Sequence, residues 1–254
     1  LLNEEIRAKF LLFKPKLISS DAGYGRAKPA RFTAYYTPLL EGSLVADQTF
    51  PHAIYNQPKT ENLKTKSRVE IDFKGALKGL GLELFYVKDL FELYLLHVQG
   101  GGKVMVNTGA GVTSYYISYA GTNAQAWRFI SNYMFQKGYI PDKSIRSQRE
   151  FLQQNPQLAE EIYNYCPSYV YFKHSSTPPV GSDSVPLTDG RSIATDIQHY
   201  SFKGMLSYVE ARRPRFAGDK SMTEFSRFFL DQDTGGAIKG KARVDLYHGE
   251  GAYA

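Results

Sequence analysis

The sequence predicts a mainly β protein that carries a few helices. Most segments between turns are rich in β-branched and aromatic residues, such as "RFTAYYT" at 31–37, which ends at Pro38. Only two segments place apolar residues at helical spacing, and both lie in the middle of the chain. A Pro/Ser/Gly-rich interval, "HSSTPPVGSDSVPLTDG" at 174–190, precedes a final β-rich stretch. Such an interval is typical of a domain junction.

Each element can be justified from its local pattern. The apolar runs of "LELFYVKDLFELYLLHVQGGG" at 82–102 predict strands that a flexible glycine triplet ends. The spacing of apolar residues in "NAQAWRFISNYMFQKG" predicts a helix over 123–138. The segment 144–165 predicts two short helices, because Asn155 can cap and Pro156 can occupy a first helical position.

Composition limits the class of protein. The chain has 254 residues, of which 43% are hydrophobic, and this is enough to bury a core in one or two domains. The longest apolar runs, at 10–13 and 93–98, fall short of the ~20 residues that a membrane-spanning helix needs. The lone Cys166 excludes an internal disulfide, and the five histidines show no metal-site spacing. We therefore expect no metal and no cofactor.

The net charge of +6 favours an anionic partner, and nucleic acid, a membrane surface and an acidic polysaccharide all qualify. The densest basic cluster is Arg212, Arg213, Arg215 and Lys220, which brackets Pro214 and Gly218. This pattern favours a solvated loop over a nucleic-acid recognition helix. The 19 tyrosines and 16 phenylalanines suit a carbohydrate ligand, since aromatic faces stack on sugar rings as well as fill cores.

The C-terminal stretch "DQDTGGAIKGKARVDLYHG" contains the Asp-Thr-Gly tripeptide of aspartic proteases at 233–235. Those enzymes need two carboxylates that share a proton, and the chain has one such tripeptide. A phosphate-binding loop is excluded, because "GGAIKG" lacks the spacing G-x-x-x-x-G-K-[ST]. The protease interpretation is therefore only a distant alternative.

Several longer motifs, in order along the chain, match one known family. They are Asp196 in "LTDGRSIATD", Asp233 in "DQDTGGAIKG", Asp245 in "KARVDLYHG", and upstream "FTAYYTPLLEGS", "RVEIDFKGAL", "HVQGGGKV", "YAGTN" and "NPQLAEEIYNYCPSYVYF". On these residues the chain resembles the membrane-bound lytic murein transglycosylase A family, which has a C-terminal three-aspartate domain. The resemblance covers most of residues 31–254.

The resemblance implies a double-psi β-barrel catalytic domain built from both chain ends, at 1–37 and 186–254. A second β-rich domain with helices, at 38–185, is inserted between them, and a groove separates the two. The chain departs from the family pattern in three places. It lacks a glycine after Asn123, it lacks Ile-Pro-Leu before Gly204, and it stops at "GEGAYA" before the last expected barrel segment. A shortened or incomplete version of the enzyme is therefore expected.

The reaction that the resemblance implies needs a single carboxylate. Ordinary glycosidases place two carboxyl groups across the scissile bond. A lytic transglycosylase protonates the oxygen between N-acetylmuramic acid and N-acetylglucosamine, and the substrate's own C6 hydroxyl then attacks C1 to form a 1,6-anhydro ring. Because the attacking hydroxyl belongs to the same molecule, its effective molarity is high and no activated water is needed. One residue therefore serves first as the acid and then as the base.

Motif position assigns this catalytic role to Asp245. A general acid needs a raised pKa at neutral pH, for which the apolar neighbours Val244 and Leu246 and the charge of Asp233 are suited. The alternative for Asp233 is a purely structural role, since Asp-Thr-Gly often orders a turn. Asp196 is expected to be mostly structural, and Thr33 either supports the carboxylate or is an ordinary strand residue. The candidate substrate-binding residues are Tyr35, Tyr36, Gln99 and Lys239, with core packing or solvation as the alternative for each.

The expected partners are therefore the glycan strand of peptidoglycan and other cell-wall enzymes, and nucleic acid is not expected. The resemblance implies a periplasmic location and an outer-membrane lipid anchor outside this sequence. The main alternative is a glycan-binding module of the same fold that does not turn over its ligand.

Overall fold

The computed structural model describes residues 31–200, 204–213, 221–236 and 238–251. The chain forms two compact units. One, the terminal unit, comprises Leu1–Tyr36 and Val180–Ala254, and the other, the inserted unit, comprises Thr37–Pro179. Among the described helices, none is long and apolar enough to cross a membrane.

A six-stranded sheet organises the inserted unit. Its strands are β2 (Leu39–Ser43), β3 (His52–Tyr55), β4 (Glu83–Val87), β5 (Gly101–Asn107), β6 (Val112–Thr122) and β7 (Val170–Ser175), in the spatial order β3-β4-β2-β5-β6-β7. Strands β2 and β5 are parallel, and the other neighbours are antiparallel. One face buries a core that includes Leu40, Ile54, Phe85, Val104 and Phe172.

Six α-helices pack with this sheet. They are α1 (Glu61–Lys64), α2 (Arg68–Asp72), α3 (Leu90–Gln99), α4 (Ile130–Gln136), α5 (Ile145–Gln154) and α6 (Ala159–Asn164), with a 3-10 turn at Pro156–Leu158. Their apolar faces form a second core that includes Phe91, Leu95, Met134 and Ile162. The prediction of two short helices split at Asn155-Pro156 is confirmed. The Asn155 side chain, however, donates to the Phe151 carbonyl and so closes α5.

The prediction of strands throughout 82–102 is wrong for its second half, where residues 90–99 form helix α3. The Asp89 side chain accepts hydrogen bonds from the Phe91 and Glu92 amides, and Gly100 ends the helix in the left-handed conformation. Six of the ten helical residues are buried, so no polar face marks the helical period.

The last two glycines of the triplet after α3 are packed closely, whereas Gly100 has open space beside it. A Cβ at Gly102 would lie 2.6 Å from the Leu96 side chain, and one at Gly101 would lie 3.1 Å from the Ile117 carbonyl oxygen. These two positions of β5 therefore leave little room for a side chain. The helix predicted over 123–138 is also shorter than expected, since α4 begins only at Ile130.

A buried arginine connects the helices to the sheet. Arg68 is fully buried and donates to the backbone oxygens of Cys166, at 3.2 Å, and Ser168, at 2.8 Å. Its guanidinium also lies 3.5 Å from the Asp72 carboxylate and over the Tyr94 ring. Burial raises the pKa of Asp72 to about 6, and the charge of Arg68 partly opposes this rise.

A five-stranded sheet forms the described part of the terminal unit. Its strands are β1 (Arg31–Thr37), β8 (Ser192–Ala194), β9 (Met205–Arg213), β10 (Thr223–Asp233) and β11 (Arg243–Glu250), in the order β1-β11-β8-β10-β9. Strand β8 runs parallel to β10 and antiparallel to β11. The core of the sheet is formed by Ile193, Val209, Phe229 and Leu246.

The basic cluster was expected on a loop, and this is wrong for its first two members. Arg212 and Arg213 end strand β9, where Arg212 lies 3.3 Å from Glu224 and Arg213 stacks over Phe225. Arg215 and Lys220 lie outside the described residues, as does the segment before Gly204 that lacks Ile-Pro-Leu.

Candidate active site

Strand β8 brings Asp233 and Asp245 close together from opposite sides. Asp245 on β11 pairs with Ala194, and Asp233, after an irregularity at the end of β10, pairs with the same residue. Because neighbouring strands lie about 4.8 Å apart, the two aspartate backbones are about 10 Å apart. Strand β1, which carries Thr33 and Tyr35, is the other neighbour of β11.

The Asp245 carboxylate is held through one of its oxygens. Its Oδ1 accepts a hydrogen bond from the Thr33 hydroxyl and another, at 3.0 Å, from Nε of Arg243. Arg243 also donates to Thr33 Oγ1 at 2.7 Å, so the three side chains close a ring of hydrogen bonds. Within the described residues, Oδ2 accepts no hydrogen bond. The side chain is 16% exposed, which leaves this second oxygen available to a ligand.

Tyr35 lies near both aspartates. Its hydroxyl is buried, and its ring packs against Tyr247 at a centroid distance of 5.2 Å. Burial raises the pKa of Tyr35, and the nearby charges of Asp233 and Asp245 raise it further. The phenol therefore stays protonated, and its buried hydroxyl makes no hydrogen bond within the described residues. Tyr36, the next residue, is half-buried on the same strand, and its predicted stacking on a sugar stays a prediction.

Asp233 orders the turn at its own tripeptide. Its Oδ1 accepts hydrogen bonds from the amides of Thr234, at 2.9 Å, and Ser182, at 3.0 Å. The Thr234 hydroxyl in turn donates to the Thr195 carbonyl at 2.8 Å. This arrangement joins the end of β10 to the segment that follows β8.

Asp196 fixes the loop that leads to Asp245. Its two oxygens accept from the Gly240 amide, at 2.7 Å, and the Gln198 amide, at 3.1 Å. These hydrogen bonds, that of Gly240 first, lower the pKa of Asp196, to which the charge of Lys239 adds. Lys239 itself is exposed. Gln99 is the last residue of α3 and belongs to the inserted unit.

Arg243 is the site residue that the sequence analysis missed. It lies two residues before Asp245 on the same strand, so both side chains point to the same face of the sheet. That spacing is the only local signal that could have identified it. Within the described part of the chain, no three His, Cys, Asp or Glu side chains group so that they could hold a metal ion.

Two family models match the chain. The MltA specific insert domain matches residues 31–173, and the 3D domain matches residues 191–254. The membrane-bound lytic murein transglycosylase A of Vibrio cholerae is 33% identical over 229 residues, which is 88% of this chain and 60% of that protein. The protein of that name from Escherichia coli K12 is 31% identical over 232 residues, with the same two coverages.

Solved structures give the same result. The crystal structure of E. coli MltA with bound chitohexaose aligns with a TM-score of 0.75 and 29% identity, over 87% of this chain and 64% of that one. A membrane-bound lytic murein transglycosylase from Agrobacterium tumefaciens aligns with a TM-score of 0.73 and 25% identity, over 87% and 67%. The chain thus spans about 60% of the length of these two curated relatives.

These similarities confirm the predicted fold class, which is a mainly β fold with a double-psi β-barrel domain and an inserted β-rich domain that carries a few helices. The insert-domain model alone matches more than half of the chain. The chain belongs to the membrane-bound lytic murein transglycosylase A family.

Proposed function

We propose that this chain is a peptidoglycan lytic transglycosylase. It cleaves the β-1,4 bond between N-acetylmuramic acid and N-acetylglucosamine and leaves a 1,6-anhydromuramoyl end. Family membership and the names of the relatives support this activity. The chitohexaose bound to E. coli MltA supports a glycan ligand.

One observation supports Asp245 as the catalytic group. Its Oδ1 is fixed by Thr33 and Arg243, while Oδ2 accepts no hydrogen bond within the described residues and the side chain stays partly exposed. A general acid must present one oriented oxygen to its substrate and be held through the other. Asp245 has this arrangement.

In the first half-reaction, the proton on Oδ2 passes to the glycosidic oxygen, and the bond from C1 to that oxygen breaks. N-acetylglucosamine leaves as an alcohol, and C1 of the muramoyl residue becomes electron-poor. In the second half-reaction, the C6 hydroxyl attacks C1 and gives its proton to the Asp245 carboxylate. The ring closes, and the enzyme regains its starting protonation state without water.

Neighbouring side chains support these two steps. Thr33 and Arg243 stabilise the carboxylate formed after proton transfer, since both donate to Oδ1. Asp233 orders the turn at the end of β10, on the other side of β8 from Asp245. We keep Tyr35, Tyr36, Gln99 and Lys239 as candidate contacts to the glycan, and Asp196 as the residue that shapes the loop before Asp245.

The location and partners follow from the same proposal. The curated relatives are named membrane-bound, which supports an envelope location, and we propose the periplasm with an outer-membrane lipid anchor. We assign catalysis to the domain built from residues 1–37 and 186–254, and the inserted domain to 38–185. The ligand in this proposal is the glycan strand of peptidoglycan.

Product chemistry tests the proposal. Purified murein sacculi are digested with the protein, and the new ends are identified by mass spectrometry, because an anhydro end lacks the mass of one water. We expect anhydro ends, and EDTA should leave the rate unchanged because the acid–base steps need no metal. Reducing ends alone would contradict the transglycosylase reaction. Binding without any product would favour the glycan-binding module, and peptide cleavage would favour the protease.

A further inference from the structure

A cavity of about 770 Å³ opens within the inserted unit. Strands β3 and β4, the end of helix α2 and the loop at 75–81 form its walls. Ala53 and Ile71, which belong to a buried apolar cluster, form part of its lining. The proposed chemistry at Asp245 does not use this cavity.

A β-bulge turns three polar side chains toward the cavity. On β3 and β4, Ala53 pairs with Tyr86 and Ile54 with Phe85, but Tyr55 pairs with Glu83, so Leu84 is the extra residue. Side chains alternate along a strand, and residues 83 and 86 would normally face opposite sides. The extra residue places Glu83 on the face of Tyr55 and Tyr86.

These side chains have unused hydrogen-bonding capacity. Within the described residues, the hydroxyls of Tyr55 and Tyr86 make no hydrogen bond. Burial raises the pKa of both phenols, and the charge of Glu83 raises it further, so both stay protonated. Glu83 accepts from the Gly79 amide at 2.6 Å through Oε1 only. The cavity therefore offers two hydroxyl groups and one carboxylate oxygen to a ligand.

The cavity carries a small negative charge. Asp47, Asp72 and Glu83 line it together with Lys78, and the buried Arg68 lies against Asp72, so three negative charges face two positive ones. Asp47 accepts the amides of Thr49 and Phe50 in its own turn. The negative charge disfavours an anion, and the two phenol hydroxyls suit a neutral ligand that exchanges hydrogen bonds with them and donates to Glu83.

We propose that this cavity is a saccharide-binding site, built by the inserted unit alone, for a neutral ring that presents hydroxyl groups on one edge and an apolar face on the other. Tyr55, Tyr86 and Glu83 contact the hydroxyl groups, and the Phe73 and tyrosine rings contact the apolar face. The volume accommodates a disaccharide. The choice of N-acetylglucosamine as the sugar rests on the proposed function.

Titration by NMR tests the site. The probe is N,N'-diacetylchitobiose, added to the isotope-labelled chain and followed through backbone amide shifts. We expect saturable shifts at Gly79, Gly81 and Tyr86. Tyr86→Phe removes only the hydroxyl and should weaken binding at these amides by about five- to tenfold, as the loss of one hydrogen bond in a polar site does. Tyr86→Ala also removes the ring and should weaken binding further.

The matched control is Tyr119→Phe, which removes a hydroxyl from a tyrosine that is 54% exposed and outside the cavity. This control and Asp245→Asn should leave the cavity shifts unchanged. A lack of saturable shifts at the cavity amides up to about 10 mM sugar would overturn the proposal. Shifts caused by a simple alkyl amine in place of the sugar would overturn the ligand class.

The same sample separates this inference from the proposed function. If the chain forms no anhydro ends from murein but the cavity shifts persist, the proposed function fails and the saccharide site stands. If anhydro ends form but the cavity amides do not respond to the sugar, the inference fails and the proposed function stands.

Discussion

At the scale of single residues, the two aspartates on either side of β8 have different environments. Asp245 keeps one oxygen available, whereas Asp233 Oδ1 accepts two backbone amides. We predict that Asp245→Asn lowers the rate by ~10²–10⁴-fold, toward the upper end, because one residue serves both half-reactions. Glycan binding should remain. Release of anhydromuropeptides and a glycan-binding titration measure the two effects.

The matched change Asp233→Asn should lower activity only in part and reduce thermal stability. The reason is that its carboxylate holds the Thr234 and Ser182 amides but does not transfer the proton. Full activity in Asp245→Asn, or abolished activity with intact folding and binding only in Asp233→Asn, would reverse the assignment.

Arg243 gives a second prediction at this scale. Arg243→Gln removes a charged hydrogen bond to Asp245 and should lower the rate about tenfold or more. Thr33→Val removes the other donor without changing the charge, and should slow the reaction less. An unchanged rate in both variants would contradict the positioning role.

At the scale of elements, the turn after β6 explains why the family pattern has a glycine after Asn123, where this chain has Ala124. The buried Asn123 side chain donates to the carbonyls of Lys66, at 2.8 Å, and Pro167, at 2.9 Å, and accepts from the Tyr169 amide. These contacts fix the turn, and Ala124 adopts φ of 58°. Only glycine adopts this left-handed conformation without cost.

We therefore predict that Ala124→Gly stabilises the protein. The left-handed conformation costs a residue with a Cβ roughly 1–2 kcal/mol, and glycine avoids this cost. Glycine also makes the unfolded chain more flexible, which offsets part of the gain in stability. The free energy of unfolding, measured in urea, should rise by about 0.5–1 kcal/mol. Ala126→Gly is the control. This nearby exposed alanine has a negative φ, so its replacement by glycine should destabilise the protein. A loss of stability in Ala124→Gly would contradict the argument.

At the scale of the whole molecule, the inserted unit begins and ends on strands of one sheet. Leu39 pairs with Lys103, Lys103 with Tyr116, and Tyr116 with Ser175, so they form one row across β2, β5, β6 and β7. Three strand spacings separate its ends, which is about 14 Å. Both ends of the inserted unit are therefore anchored in the same sheet.

Buried charge gives a prediction for the stability of the whole molecule. The pKa of Asp72 is about 6 when folded, against 3.8 for an exposed aspartate, because burial disfavours its charge. Because the pKa of Asp72 is higher in the folded than in the unfolded chain, its contribution to stability is fully present below the unfolded pKa. This contribution is lost as pH rises through the folded pKa of about 6. The stability of the wild type relative to Asp72→Asn should therefore fall by about 1–3 kcal/mol between pH 4 and 7.

Unfolding in urea at several pH values measures this difference. The control is Glu70→Gln, since hydrogen bonds from Ser67 lower the pKa of Glu70 to about 2. Its contribution is lost only as pH falls below the ordinary glutamate range, so it should not vary between pH 5 and 7. A constant difference for Asp72→Asn across the range would contradict the account.

The sequence by itself determined the family, the predominance of strands and the break between α5 and the turn at Pro156. These features depend on neighbours along the chain, such as turn residues, caps and ordered motifs. It also identified Asp245, Asp233 and Thr33 as candidates, through their motifs.

Only the tertiary structure decided how those residues meet. Thr33 and Asp245 are 212 positions apart, and Arg243 reaches Thr33 only when β1 lies beside β11. Helix α3 is buried on most sides, so its helical period is hidden in the sequence. The bulge that turns Glu83 toward Tyr86 depends on the pairing of β3 with β4. Local pattern fixes local conformation, whereas these contacts depend on which strands lie side by side.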